Sequence, residues 1–198
     1  MSVSDLPSQR VLEKQLSRQE LQELRNKRTG LTIFQISWIL VFVCLIIVNW
    51  QLRNGQVSWP PPGVEAPSPL LPTVATLGLL VSVWFVRRGL RAIRADEQAA
   101  FFRYWRAALG LAVAFVAIVA FDWVRIPYTG IYSDVFRMMT GFHEVHALAI
   151  GTFMGMIYRG ARAGNYGPGN FWPVEGAAGL WYFVVFAWIL FYAVLYLI

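Results

Sequence analysis

Apolar residues in this chain come in long unbroken blocks. Thr29 to Leu52 carries no charge, and neither does Ala66 to Val86 or Gly176 to Ile198. A helix needs about 20 apolar residues to cross the hydrocarbon layer, so each block is a membrane span by length. Two further blocks are interrupted. Ala107 to Phe121 is charge-free and then meets Asp122, while Val135 to Tyr158 is apolar apart from Arg137 and the group His143, Glu144 and His146. The pattern predicts five transmembrane helices, at roughly 31–52, 70–88, 105–124, 135–158 and 177–198. Transmembrane β-strands would instead alternate over segments of about 10 residues. The expected fold is all-α: a bundle of five transmembrane helices over 31–198, preceded by a basic, amphipathic segment over 1–30.

Charge sets the expected orientation. Hydrophobic residues make up 57% of the chain and charged ones 14%, against about 25% charged in a soluble domain. The net charge of +6 invites a nucleic-acid reading, but its distribution opposes one. Of the 17 Lys and Arg, all but Arg53, Arg125 and Arg137 fall before the first helix, in the second loop (Arg87 to Arg106) or in the fourth (Arg159, Arg162). Basic loops stay cytoplasmic, so the N-terminus is expected inside and the C-terminus outside, with the basic loops against anionic headgroups. Trp50, Trp59, Trp84, Trp105, Trp123 and Trp172 fall near predicted helix ends, as an interfacial belt would.

The ends and loops add little chemistry. Residues 8–28 place Val11, Leu12, Leu16, Leu21 and Leu24 near helical spacing among charges. They read either as an amphipathic dock onto a partner or membrane surface, or as a charged leader that sets topology. The polar stretch before the first block, the length of that block and the lack of small residues at Asn49-Trp50-Gln51 argue against a cleaved signal peptide. The single cysteine, Cys44, allows no intrachain disulfide and reads as a buried structural thiol. Trp59 through Pro69 is proline-rich and predicts a stiff connector. The glycines of Gly160 to Gly169 predict turns and lack the Gly-Lys-Ser/Thr of a phosphate loop.

The candidate chemistry lies on the fourth helix. His143 and His146 are the only two histidines, and ionisable groups at membrane depth mark functional or interhelical contacts. Ala147, Gly151 and Gly155 repeat every fourth residue, a spacing that lets helix backbones approach closely in lipid. At ~100° per residue Glu144 shares that stripe, His143 lies at its edge and His146 sits ~160° away. Three such side chains meet different neighbours. Interhelical or inter-subunit hydrogen bonds are therefore expected for them, and Asp122 is expected to pair with Arg125, Arg137 or His143. A metal site from His143, His146 and Asp122 is the competing reading, yet His-Glu-x-His is one residue short of the zinc-protease pattern and no third histidine exists. No nucleophile motif and no internal repeat of the transporter kind is present.

The stretch Thr140-Gly141-Phe142-His143-Glu144-Val145-His146, followed by Gly151, resembles subunit III of the haem–copper oxidases. That family carries Thr-Gly-x-His-Gly-x-His followed closely by glycine, and Glu144 stands in place of the second glycine. Leu71-Pro72-Thr73-Val74-Ala75-Thr76 resembles the family's Leu-Pro-x-x-Asn-Thr, Phe121-Asp122-Trp123 its Tyr-Glu-Tyr, and Gly130-Ile131-Tyr132-Ser133 its Gly-x-Tyr-Gly/Ser. Trp181-Tyr182-Phe183 through Trp188 resembles Trp-His-Phe-Val-Asp-x-x-Trp, with Tyr182 and Val185 in place of histidine and aspartate. In the first helix Trp38 replaces the glutamate of Gly-x-x-x-Phe-x-x-Ser-Glu. The resemblance covers nearly the whole chain from about residue 30, in the form of short five-helix bacterial members.

The resemblance implies a non-catalytic subunit of a terminal oxidase in a bacterial plasma membrane. It would pack mainly on subunit I, meet subunit II and further small subunits, bind phospholipid and support oxygen reduction and proton pumping. Haem and copper would sit on partner chains, so no catalytic, cofactor or metal residue is expected here. The loss of the glutamate at Trp38 speaks against a proton-antenna role. The polar contacts implied by the motifs are Thr140, Gly141, His143, Glu144, His146, Gly151, Asp122 and Trp181, with Ala147 and Gly155 in helix packing. The alternatives are an accessory subunit of nitric oxide reductase and a stand-alone membrane metalloprotein.

Overall fold

The computed structural model describes residues 17–125 and 130–197. Five helices carry nearly all of them: α1 (Arg18–Asn54), α2 (Leu70–Arg94), α3 (Gln98–Arg125), α4 (Gly130–Arg162) and α5 (Trp172–Tyr192), which runs on into a π-helical turn, Ala193–Leu197. Four of them, α1, α2, α3 and α5 with its π turn, are long and apolar enough to cross a membrane. The fifth, α4, has the length but carries Asp134, Arg137, His143, Glu144 and His146 along it.

The helices are longer than the apolar blocks that announce them. Residues 18–28 form no separate amphipathic helix; they are the first turns of α1, which runs through residue 30 without a break. Its start is set by a capping box: Ser17 Oγ accepts from the Glu20 backbone N–H, and the Glu20 carboxylate accepts from the Ser17 N–H at 2.8 Å. Val11, Leu12 and Leu16, the first half of the amphipathic pattern, lie outside the described residues. Cys44 is exposed on the outer face of α1, so the expected buried thiol is corrected. Most of that helix faces outward, with Ile33, Ile36, Leu40 and Ile47 all exposed.

Helices α2 to α5 form a four-membered antiparallel ring, and α1 lies outside it against α5 and α4. The ring closes between α2 and α5 through a ladder of polar rungs. The Trp188 indole N–H donates to Thr76 Oγ1 at 2.8 Å, and the Trp181 indole N–H donates to Ser82 Oγ at 2.9 Å. Each hydroxyl in turn donates to a carbonyl of its own helix, Thr76 to Pro72 and Ser82 to Leu79. Toward the C-terminal end of α5, the Tyr192 hydroxyl meets Thr73 Oγ1 at 2.6 Å. Trp181, Trp188, Thr76 and Ser82 are all buried.

Ion pairs hold the opposite end. Glu175, in the first turn of α5, accepts from Arg28 of α1 at 2.9 Å and from Arg94 of α2 at 3.1 Å, tying three helices at one carboxylate. The Arg94 guanidinium also lies over the Phe171 ring, 4.9 Å from its centroid. Burial pulls this guanidinium below its ordinary range, and the Glu175 carboxylate opposes the shift. One turn further along α5, Gln35 of α1 donates to the Gly179 carbonyl at 2.7 Å. A Cβ at Gly179 would stand 3.2 Å from Leu31, so the missing side chain is what lets α1 and α5 meet there.

Removing one member of a buried ion pair costs about 3–5 kcal/mol. Glu175 is slightly exposed and Arg28 more so, which places Glu175→Gln near about 3 kcal/mol, at the low end of that range. Thermal unfolding in detergent should show Glu175→Gln well below Arg28→Gln in midpoint; equal midpoints would mean that Arg94 takes no support from this carboxylate.

Candidate functional site

The polar residues of α4 are delivered to different surroundings. Thr140 is fully buried and its hydroxyl donates to the Phe136 carbonyl of the same helix at 2.7 Å. Gly141 makes room for the Trp123 indole: a Cβ there would lie 3.4 Å from Nε1, which itself donates to the Arg137 carbonyl at 3.1 Å. The Arg137 Nε donates back to the Trp123 carbonyl at 3.4 Å. This reciprocal pair latches the C-terminal end of α3 to the N-terminal part of α4.

His143 occupies an aromatic cage. Its ring centroid lies 5.1 Å from that of Trp188, 5.7 Å from Phe115, 6.2 Å from Phe42 and 6.3 Å from Phe191. It has no exposed surface, and neither ring nitrogen has a hydrogen-bond partner among the described residues. His146 points elsewhere. Its Nδ1 pairs with the Phe142 carbonyl at 2.6 Å, and its ring stands edge-on to Trp38 with centroids 4.6 Å apart. Trp38 thus covers the His146 imidazole with aromatic surface.

Glu144 is buried, and its Oε1 has no hydrogen-bond partner among the described residues. Asp122 lies near the C-terminal end of α3, also buried, with Oδ2 likewise unpartnered among the described residues. The two histidines and Asp122 therefore do not converge: among the described residues, no group of three or more His, Cys, Asp or Glu is placed to hold a metal. His143 and His146 lie on adjacent faces of one helix and share Phe42 as a ring neighbour, but no third metal-ligating side chain joins them among the described residues.

The small-residue stripe divides. Ala147 is buried, but a Cβ at Gly151 or Gly155 would meet nothing within 4 Å. Gly151 and Ala147 instead help line an open apolar groove of about 350 Å³ between α3 and α4, with Leu109, Ala112, Val116 and Thr152. The close helix approach expected at Gly151 does not occur among the described residues. It occurs at Gly89, where a Cβ would stand 3.0 Å from Trp105 Cε3.

The interhelical bonds are made by Ser82, Gln35, Arg28, Arg94 and Glu175, none of them a predicted site residue, and by Thr76, which the sequence marks only as a motif position. A signal was present. Trp181 and Trp188 stand seven residues apart on one helical face, and Ser82 and Thr76 are isolated hydroxyls in an apolar run. Glu175 is the one acid before the last charge-free block.

Two substitutions test the packing. His143→Ala opens a cavity among large rings and should cost about 2–3 kcal/mol, whereas His143→Phe fits the cage without a buried unpaired nitrogen and should cost less. Gly89→Ala should lower the unfolding midpoint by overpacking Trp105, about 1–3 kcal/mol. Gly151→Ala should leave it unchanged or raise it. Thermal unfolding of the purified variants checks both orders, and a Gly151→Ala midpoint below that of Gly89→Ala would refute the second.

Residues 17–198 match the family model for cytochrome c oxidase subunit III. A cytochrome c oxidase subunit 3 of Thermostichus vulcanus is 30% identical over 173 residues, spanning 85% of this chain and 86% of that protein. The one from Synechocystis is 24% identical over 173 residues, 85% of this chain and 74% of that protein. The one from Drosophila yakuba is 27% identical over 186 residues, 85% and 68% respectively. With the His143–His146 motif, Asp122 and the tryptophans of α5 all in the order expected, the chain belongs to the cytochrome c oxidase subunit III family of the haem–copper oxidases.

Proposed function

We propose that this chain crosses a bacterial plasma membrane five times, N-terminus inside, and serves as a non-catalytic subunit packed mainly on subunit I of a terminal oxidase. The observation that carries the fifth crossing is how α4 runs beside α3. The Trp105 indole at one end of α3 donates to the Met154 carbonyl at 3.0 Å, and Trp123 at the other end donates to the Arg137 carbonyl. Residues 137–154 thus accompany an apolar span, and at ~1.5 Å per residue they cover about 26 Å, close to the hydrocarbon thickness. An α4 held in this way has the same depth as α3, whatever its own hydropathy.

The role as an accessory subunit draws on chemistry left over in the chain. Glu144 Oε1, His143 and Asn49 Oδ1 are buried and unpartnered among the described residues. Lipid supplies no hydrogen bonds, so a donor from a neighbouring subunit fits Glu144 better than an acyl chain does. The exposed apolar face of α1 and the α3–α4 groove are surfaces for partner helices and for phospholipid. In this reading Thr140, Gly141, His143, Glu144, His146, Gly151, Asp122 and Trp181 orient helices and subunits, and haem and copper chemistry belongs to the partner chains. The similarity to proteins named as cytochrome c oxidase subunits favours oxygen over nitric oxide as the complex's substrate.

Gentle detergent purification through a tag on this chain should bring down a haem-bearing membrane subunit that consumes oxygen, while the chain stripped of partners shows no haem absorbance. A monodisperse chain alone with stoichiometric haem would refute the proposal. Tag accessibility in sealed vesicles should place the N-terminus on the cytoplasmic side and the C-terminus on the other.

A further inference from the structure

The α3–α4 groove ends at a carboxylate. Glu144, Leu148, Gly151 and Gly155 lie at i, i+4, i+7 and i+11 on α4, in a stripe about 60° wide at ~100° per residue. Leu148 and Gly151 of that stripe line the groove, and Glu144 continues it by one turn. Two bonds between the helices fix their antiparallel register: Trp105 to the Met154 carbonyl and Trp123 to the Arg137 carbonyl. In that register Glu144 stands level with Phe115 and Val116, and Val116 also lines the groove. The carboxylate is therefore close to midway between the two tryptophans, in the middle of an apolar span.

An acid at that depth needs a partner, and this chain gives it none. Glu144 is 9% exposed, and its Oε1 is buried with no hydrogen-bond partner among the described residues. Arg137, seven residues back on the same stripe, is engaged with Trp123 through its Nε and its guanidinium face. Acyl chains offer neither donor nor counter-charge, and ionised groups inside a membrane pair with one another. The groove beside Glu144 is open to a second helix. Val113 and Leu148 are exposed along it, and a Cβ at Gly151 or Gly155 would meet nothing within 4 Å. Small residues on a lipid-facing stripe let another backbone come close. Glu144 stands where the family motif has glycine, so the carboxylate is a feature of this chain's own assembly.

We propose that the α3–α4 groove seats one transmembrane helix of another subunit, and that a lysine or arginine of that helix pairs with Glu144. The proposal rests on the accessory-subunit reading above and names the chemistry of the partner at this surface. The geometry also sets the partner's register. Glu144 and Gly151 are about 10.5 Å apart along α4, at ~1.5 Å per residue. A helix lying along the groove carries its basic residue about seven positions from the side chain that packs on Gly151. A partner slipped by one turn would leave both charges unpaired in hydrocarbon, so the pair selects a single alignment.

The test uses the intact complex purified through this chain, with the photoreactive residue benzoylphenylalanine placed at Leu148 on the exposed rim of the groove. Illumination should join it to another chain. The joined peptide should be a membrane span with a lysine or arginine within about two turns of the attachment point. Glu144→Gln, which keeps the side chain's shape, should lower the yield of that product about tenfold or more, because breaking a buried charge pair is costly. Gly151→Leu fills the space left open by this chain and should lower it as far. Replacing the partner's basic residue with glutamine should match the Glu144→Gln loss, and the two changes together should cost little more than either alone. A product with phospholipid only, with a second copy of this chain or with a span lacking a basic residue in reach would overturn the proposal. So would no product, a Glu144→Gln yield equal to that of the wild type, or fully additive losses in the double variant. Should Glu144→Gln misassemble, the partner's variant and Gly151→Leu decide: wild-type yields from both would overturn the pairing. A wild-type chain that recovers no haem-bearing subunit would sink the accessory-subunit reading instead, whereas a recovered haem-bearing subunit with a lipid-only product sinks this site alone.

Discussion

A polar hydrogen inside a bilayer has no solvent to return to. The α2–α5 ladder is built on that constraint. The indole N–H groups of Trp181 and Trp188 are buried at membrane depth, and each finds a hydroxyl on the facing helix. Interhelical bonds of this kind add little net energy in membranes, on average about 0.6 kcal/mol. Their value lies in the alternatives they exclude: sliding or rotating α5 against α2 would strand both indoles, and each unsatisfied group in hydrocarbon costs several kcal/mol. The ladder therefore specifies register more than it adds stability. Because α5 also carries the contacts with α1 and α4, that register propagates through the bundle.

Chemistry is spent differently at the two ends of the helices. At the basic end, Glu175 gathers Arg28 and Arg94 from two helices, so one carboxylate aligns three chain segments. At the other end the latch is between backbone and side chain, with Trp123 and Arg137 each using the other's carbonyl. Between these ends the middle of the bundle is aromatic. Phe42, Phe115, Trp188 and Phe191 enclose His143, so the histidine most conspicuous in sequence sits where rings, and not ligands, surround it.

The glycines make the same point about where close contact is needed. Gly89 and Gly179 sit against large side chains of a neighbouring helix, while Gly151 and Gly155 face open space. A four-residue repeat of small residues marks a surface that can be approached closely. Among the described residues, no other helix makes that approach at Gly151 or Gly155.

The sequence by itself determined the helices and their class, because long charge-free runs admit one structure in lipid and the family motifs lie along them in order. Helical geometry alone sets Glu144 and His146 far apart around α4, whereas His143 and His146 share Phe42 as a neighbour. The sequence did not show the partners. The continuation of α1 back to Ser17 escaped the apolar pattern because hydropathy marks where lipid begins, not where a capped helix starts. The ladder, the three-helix carboxylate and the aromatic cage were decided by tertiary structure. Each joins residues about 30 to 150 positions apart, at a register that only the packed interfaces select.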